Sequence, residues 1–280
     1  MGYRSILVHV DDSDQSDRRL AVAARLARAF HGELAGAYLV ATREMTPFAS
    51  AVLPDAVVAS RLRETGEAQG RAEARFRAAA AREDLAAVGW SAPAGRALEQ
   101  AVLHARYADL AVVGQPMADD AQASFGNELV HAMLLSSGRP VLLVPHFGEF
   151  PVIGRNVLIA WKESREAARA VNDALPFLKR ARNVYVLTAG GAGDTDDPSE
   201  DLSDLGIASF LARHDIEAKI RQEVADDIDV GNLLLSRAAD LSADLIVMGG
   251  YTRPRLSEAV FGGVTRLMLE AMTVPILMSH

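Results

Sequence analysis

No cysteine occurs anywhere in this chain. Disulfides, zinc–thiolate sites and cysteine nucleophiles are therefore excluded. No apolar run approaches the ~18 residues that a membrane-spanning helix needs. The seven histidines form no His-x-x-x-His pair for a metal. A Gly-x-Ser-x-Gly elbow and a Gly-x4-Gly-Lys-Ser/Thr phosphate loop are both missing, so neither a serine hydrolase nor a P-loop enzyme is expected. Positive charge is in deficit, with 29 Lys and Arg against 37 Asp and Glu, a net charge of −8. Nothing in that balance draws the chain to nucleic acid or to an anionic membrane. Arg139, Arg155 and the Lys179-Arg180 pair are too scattered for a nucleic-acid footprint. Met1–Val8 runs straight into an apparent strand with no signal-peptide pattern, so the cytoplasm is the expected compartment.

Half of the 280 residues are hydrophobic and 24% are charged, enough for two cores in domains of roughly 140 residues each. The first half opens with a β-rich run, Arg4–Val10, then the acidic cluster Asp11–Asp14, which suits a helix start. Leu20, Ala23, Ala27 and Phe30 recur at helical spacing until Gly32, which is expected to stop the helix. A strand follows over Glu33–Val40, then a proline-bearing loop and a long charged helix over Ala56–Glu83. Shorter strands at Ala87–Ser91, Asp109–Gly114 and Pro140–Pro145 alternate with helices at Gly95–Tyr107 and Phe125–Ser137.

The pattern then repeats. Val157–Trp161 resembles Ile6–Val10 at an offset of 151, while Ala243–Gly249 resembles Ala108–Gly114 at an offset of 135. Residues 1–146 and 154–280 are thus expected to be two domains joined by a short linker containing Pro151. Each alternates strand and helix four times and closes on a fifth strand. That is the pattern of an α/β fold with a five-stranded, mainly parallel, doubly wound sheet covered on both faces. Ligands in such folds sit beyond the carboxyl ends of the strands. The places to look are Asp11–Asp14 and Gly114–Ser124 in the first half, and Trp161–Ser164 and Gly249–Gly263 in the second.

The second of these pairs ends in a strand, a glycine-bearing loop and a helix, Met248–Arg266. Backbone N–H groups can converge on an anion there, aided by the helix macrodipole. Arg253, Arg255 and Arg266 add positive charge. The same glycines also fit an ordinary strand-to-helix turn. His9, inside a strand, reads as a packed and hydrogen-bonded histidine rather than a base. Asp226, Asp227 and Asp229, like Asp194, Asp196 and Asp197, read as solvated acidic loops, and no metal site is expected. Trp90 and Trp161 read as core or rim aromatics.

The chain as a whole resembles a tandem universal stress protein, of the adenine nucleotide alpha hydrolase-like fold. Members that bind ATP carry Gly-x2-Gly-x9-Gly-Ser/Thr after the fourth strand and an aspartate just after the first. The resemblance implies that Gly249 and Gly262 stand at the first and third glycines, with Thr252 at the second and Gly263 at the Ser/Thr position, followed by Val264. Arg253 matches a basic residue common in that loop, and Lys162 occupies the aspartate position. In the first half Asp11 and Ser13 match, but the loop from Gly114 to Gly126 is one residue short. It also has Met117 and Asn127 where glycine and Ser/Thr belong, and Asp119 and Asp120 where phosphates would lie.

The resemblance implies a stress-response regulatory protein that binds ATP or another adenine nucleotide in its second half, with Mg2+ accompanying ATP. It implies a protein partner of unstated identity, pairing of the two halves through their fifth strands, and room for a homodimer. The alternative is a ligand-free interaction module with degenerate nucleotide sites. An enzyme is not expected, since no nucleophile stands with a positioned base, although slow ATP hydrolysis is compatible with the reading.

Overall fold

The computed structural model describes residues 2–40, 54–116, 123–190, 206–224, 229–250 and 263–280. Ten strands form one continuous sheet. In chain order they are β1 (Ser5–Val10), β2 (Glu33–Tyr38), β3 (Val88–Ser91), β4 (Leu110–Gly114), β5 (Val141–Val144), β6 (Asn156–Trp161), β7 (Asn183–Gly190), β8 (Ala218–Val224), β9 (Leu245–Gly249) and β10 (Ile276–Ser279). The helices are α1 (Ser16–Phe30), α2 (Asp55–Arg82), α3 (Ala97–Ala105), α4 (Ala123–Ser136), α5 (Arg165–Leu178), α6 (206–212), α7 (Val230–Asp240) and α8 (Gly263–Ala271).

Strand order is β3-β2-β1-β4-β5-β10-β9-β6-β7-β8, so the second half repeats the first in mirror sequence across the middle of the sheet. Neighbours within each half are parallel. Only the central β5–β10 pair is antiparallel, with Leu142 opposite Leu277 and Leu143 opposite Ile276. Both strands are wholly buried and, Ser279 aside, apolar, and each covers an edge that the other would leave open to solvent. The pairing of halves through their fifth strands is thus built into the sheet.

Alternation along each strand creates two cores. Ile6, Val8 and Val10 of β1 face α1 and α2 on one side, in a cluster that also takes in α5. Leu7 faces the other side, where α3, α4, α7 and α8 supply the cover. Each cluster draws on both halves, as expected for strands buried on two faces.

Aspartates repeated at the same offset hold the amino ends of the first strands. Asp109 Oδ2 accepts the N–H groups of Arg4 and Ser5 at 2.7 and 3.1 Å. Asp244 Oδ1 accepts those of Gly154, Arg155 and Asn156 at 2.7, 2.9 and 3.2 Å.

One local expectation is revised. Helix α1 begins at Ser16 with no side-chain cap, so the Asp11–Asp14 cluster does not cap it. At its other end the helix stops before Gly32 as expected, and the left-handed cap is His31, with φ 54°. Gly32 is needed for a different reason. A Cβ there would stand 2.6 Å from the carbonyl oxygen of Tyr3. Helix α2 is 28 residues long, yet its buried residues are Ala72, Phe76, Ala79 and Ala80, all in its second half.

Candidate functional site

In each half the chain winds outward from the first strand and returns for the fourth on that strand's other side, so β1 and β4, and β6 and β9, flank the switch points. The carboxyl ends of these pairs are where such sheets place ligands.

The first-half crevice is filled by side chains of the protein itself. Asp11 follows β1 directly, and its Oδ1 accepts the N–H and the hydroxyl of Ser13. Arg19, one turn into α1 and only 4% exposed, sets Nη2 2.8 Å from Asp11 Oδ2. Its Nε donates to the His9 carbonyl at 3.2 Å. The guanidinium lies against Gly114 at the end of β4, where a Cβ would come within 2.5 Å of Nη1. Burial raises the Asp11 pKa, but Arg19, His9 and Ser13 outweigh it and bring the carboxyl down to about 2. His9 is buried with its Nε2–H donating to the Leu39 carbonyl at 2.8 Å. Burial and the nearby Arg19 lower its pKa to about 4, against an upward pull from Asp11 and Leu39, so it is neutral at physiological pH. The reading of His9 as a packed, hydrogen-bonded histidine agrees with this geometry.

The second-half crevice is organised differently. At the offset of 151, Arg19 corresponds to Ala170, which is fully buried in α5. Gly249, ending β9, lies under the first turn of α5, where a Cβ would stand 2.6 Å from Ala167 N and 2.7 Å from the carbonyl carbon of Glu166. Ser164 caps that helix by accepting the Ala167 N–H at 3.1 Å. Glu166 is buried, and its Oε1 takes Arg165 Nε at 2.6 Å.

Lys162 is exposed two residues past Ala160, which pairs with Met248, so it stands beside the end of β9. Gly263 opens α8 with nothing among the described residues within 4 Å of where a Cβ would be, and Val264 packs against the core. The structure thus brings Lys162, Gly249 and the β6–β9 crevice together. Thr252, Arg253, Arg255 and Gly262 lie outside the described residues. Arg266 is committed along its own helix, with Nε 2.7 Å from Glu270 Oε1.

Gln115, immediately after Gly114, is a residue the sequence reading passed over as loop. It is 4% exposed, and its Nε2 donates to the Leu269 and Glu270 carbonyls at 2.8 and 3.1 Å. Its Oε1 accepts the His146 N–H at 3.1 Å. The first-half loop therefore starts by satisfying the last carbonyls of α8 in the other half. The available signal was the polar residue itself, at the position that holds Gly250 in the repeat.

Among the other sites considered, Asp229 is the N-cap of α7, accepting the Gly231 N–H at 2.7 Å. Asp194, Asp196, Asp197, Asp226 and Asp227 lie outside the described residues. Among the described residues, no group of three or more His, Asp and Glu is placed to hold a metal, and no helix is long and apolar enough to cross a membrane. Trp90 packs on Phe76 with ring centroids 5.4 Å apart, and Trp161 sits half-buried at the rim of the core.

The fold and its two switch points define a tandem doubly wound α/β protein. The family model described as Universal stress protein family matches twice, over residues 2–145 and 154–280, and the chain belongs to that family. A universal stress protein from Archaeoglobus fulgidus DSM 4304 has a similar solved structure, with TM-score 0.72 and 16% identity, covering 98% of this chain and 95% of that one. A putative universal stress protein from Pseudomonas aeruginosa UCBPP-PA14 is similar with TM-score 0.59 and 17% identity, covering 99% and 93%. At these identities the likeness is one of fold. The comparison with curated proteins found no match.

Proposed function

We propose that this chain is a nucleotide-responsive stress regulator, built from domains 1–146 and 154–280, whose nucleotide site is the second-half crevice between β6 and β9. The observation that carries this reading is the asymmetry between the two switch points. In the first half the carboxylate at the family's adenine-contacting position is already held by Arg19, which also fills the space against Gly114. In the second half the same helix position is Ala170, and the crevice edge carries the exposed ammonium of Lys162 and the start of α8 at Gly263. These groups suit phosphates, since a helix N-terminus and a cation both favour negative charge. Thr252, Arg253, Gly262 and Val264 complete the proposed cradle. Mg2+ would enter with ATP rather than through a protein cluster.

Lys162 sets the character of binding. An ammonium has donors and no acceptor, so it cannot accept a hydrogen bond from adenine as an aspartate does. An unmet polar partner of this kind weakens binding by about 1–3 kcal/mol, or one to two decades. Binding is therefore weak and poorly selective among bases, with polyphosphate supplying most of the affinity. Lys162→Asp should tighten ATP more than GTP in parallel titrations. Tight, adenine-selective binding by the wild type would contradict this account.

The second reading, a ligand-free interaction module, is favoured by Gly249, whose lack of a side chain is fully explained by the packing of α5. Protein purified without added ligand and then denatured discriminates the two. Released adenine nucleotide, or a titratable Mg-ATP site lost on Lys162→Glu, supports the regulator. No release and no saturable binding at millimolar Mg-ATP supports the module.

A further inference from the structure

We propose that a half-open groove at the amino ends of the strands, remote from the crevice assigned to nucleotide, is a binding site for a small soluble organic anion with an apolar body. The groove holds about 500 Å³ and lies between α1, the segment joining the halves, and α5. That volume is in the roughly 300–1,000 Å³ range of small-molecule sites. Its floor includes the buried rings of Phe30 and Phe177, which meet edge-on with centroids 5.2 Å apart. Val152, at its mouth, is an exposed apolar side chain.

The walls are basic in a chain that is otherwise acidic. Arg25, Arg28, Arg155 and Arg180 line the groove, with Glu83 as the acidic residue in its wall, 3.7 Å from Arg25. Two of these arginines shape the site. Arg25 donates to the Phe150 carbonyl, and Arg180 donates to the Ala29 carbonyl while lying 4.9 Å over the Phe30 ring. These bonds also quiet carbonyls that would repel an anion. Arg28 leans on Glu83 at 3.3 Å from an exposed position. Among the described residues the Arg155 guanidinium makes no hydrogen bond and no ion pair within 4 Å, although its charge acts on the nearby Asp244 carboxylate, which accepts the Arg155 backbone N–H. Glu83 in the wall and Asp244 behind Arg155, set against four Arg, still leave net positive charge beside an apolar floor. A carboxylate, sulfonate or phosphate head can reach Arg155 and Arg28 in the planar, paired geometry that guanidinium favours. An aromatic or alkyl body then covers Phe30 and Phe177.

The test uses the full chain and octyl phosphate below its micelle concentration, followed by calorimetric titration at fixed ionic strength. The expected result is one site per chain, weakened at least tenfold by Arg155→Glu and independently by Val152→Glu. Inorganic phosphate and octyl glucoside, each carrying half of the chemistry, should bind at least tenfold more weakly than octyl phosphate. Val152→Glu removes no interaction that supports the fold and should keep the wild-type melting temperature. Arg155→Glu sets a carboxylate beside Asp244, so Arg155→Gln, which loses only the charge, is titrated with it and should also weaken binding. Absence of saturable octyl phosphate binding, equal binding of octyl glucoside, or indifference to Arg155→Glu would overturn the proposal. Sedimentation of the wild type with phosphatidylcholine vesicles containing phosphatidic acid would overturn the assignment to a soluble ligand.

Discussion

Replacing Arg19 by methionine keeps the length and apolar stem of the side chain and removes its charge from beside Asp11. The pair is buried, with side-chain exposures of 5% for Arg19 and 13% for Asp11. Lowering the Asp11 pKa from 3.8 to about 2 corresponds to roughly 2 kcal/mol of folding free energy at neutral pH. Taking one partner from a buried pair is more severe, about 3–5 kcal/mol, because the remaining charge is stranded. Ser13 still donates twice to Asp11, which puts the expected loss near the lower end. The sign with pH follows from the same groups. In the wild type the Asp11 contribution is fully present above pH 3.8 and is lost as the pH falls through about 2. In Arg19→Met, burial still raises the Asp11 pKa and only His9 and Ser13 oppose it, so the deficit is largest near neutrality and narrows as the carboxyl takes up a proton. Arg19→Met/Asp11→Asn removes both charges and should recover most of the loss. Urea unfolding at several pH values, read by Trp90 fluorescence in a Trp161→Phe background, reports on the first half. A loss below about 1 kcal/mol at pH 7, the size of an exposed ion pair, would refute the reasoning. So would a double variant no more stable than the single one.

His9→Gln keeps a donor for the Leu39 carbonyl and removes a titrating group whose folded pKa lies near 4 against an ordinary 6.5. The unfolded chain binds the proton first in that window, so wild-type stability should fall by up to about 3 kcal/mol from pH 6.5 to 4, and the variant's urea midpoints should flatten there. Gly249→Ala places a Cβ 2.6 Å from backbone nitrogen in α5, and thermal melting should show a loss of about 1–3 kcal/mol, with or without ATP. Gln115→Ala strips partners from two α8 carbonyls and the His146 N–H, a loss of about 1–3 kcal/mol with faster hydrogen exchange at the His146 amide.

Most of the fold was legible because it follows from local rules. Short β-rich apolar runs such as Ile6–Val8 and Leu245–Met248 read as buried strands, and the helical spacing of Leu20, Ala23, Ala27 and Phe30 marks one face that must be covered. The repeated Asp109 and Asp244 announced two copies of one unit, and each copy's apolar fifth strand required a partner. The candidate site was legible in part. The loops after β1, β4, β6 and β9 follow from the alternation of strands and helices, which dictates where the sheet switches direction.

What fills those places depended on distances that no local pattern encodes. Asp11 carries the same letter whether it faces a ligand or an arginine. Only the seating of α1 puts Arg19 against both Asp11 and Gly114. Gly249 matches a ligand-loop spacing, but its lack of a side chain is required by the approach of α5 across the end of β9. Gln115 gained its role from carbonyls more than 150 residues away in the other half. Backbone periodicity and apolar burial are properties of short stretches and are written in order along the chain. The pairing of buried charges and the closeness of two backbones arise only when separate elements meet, and here the tertiary structure decided them.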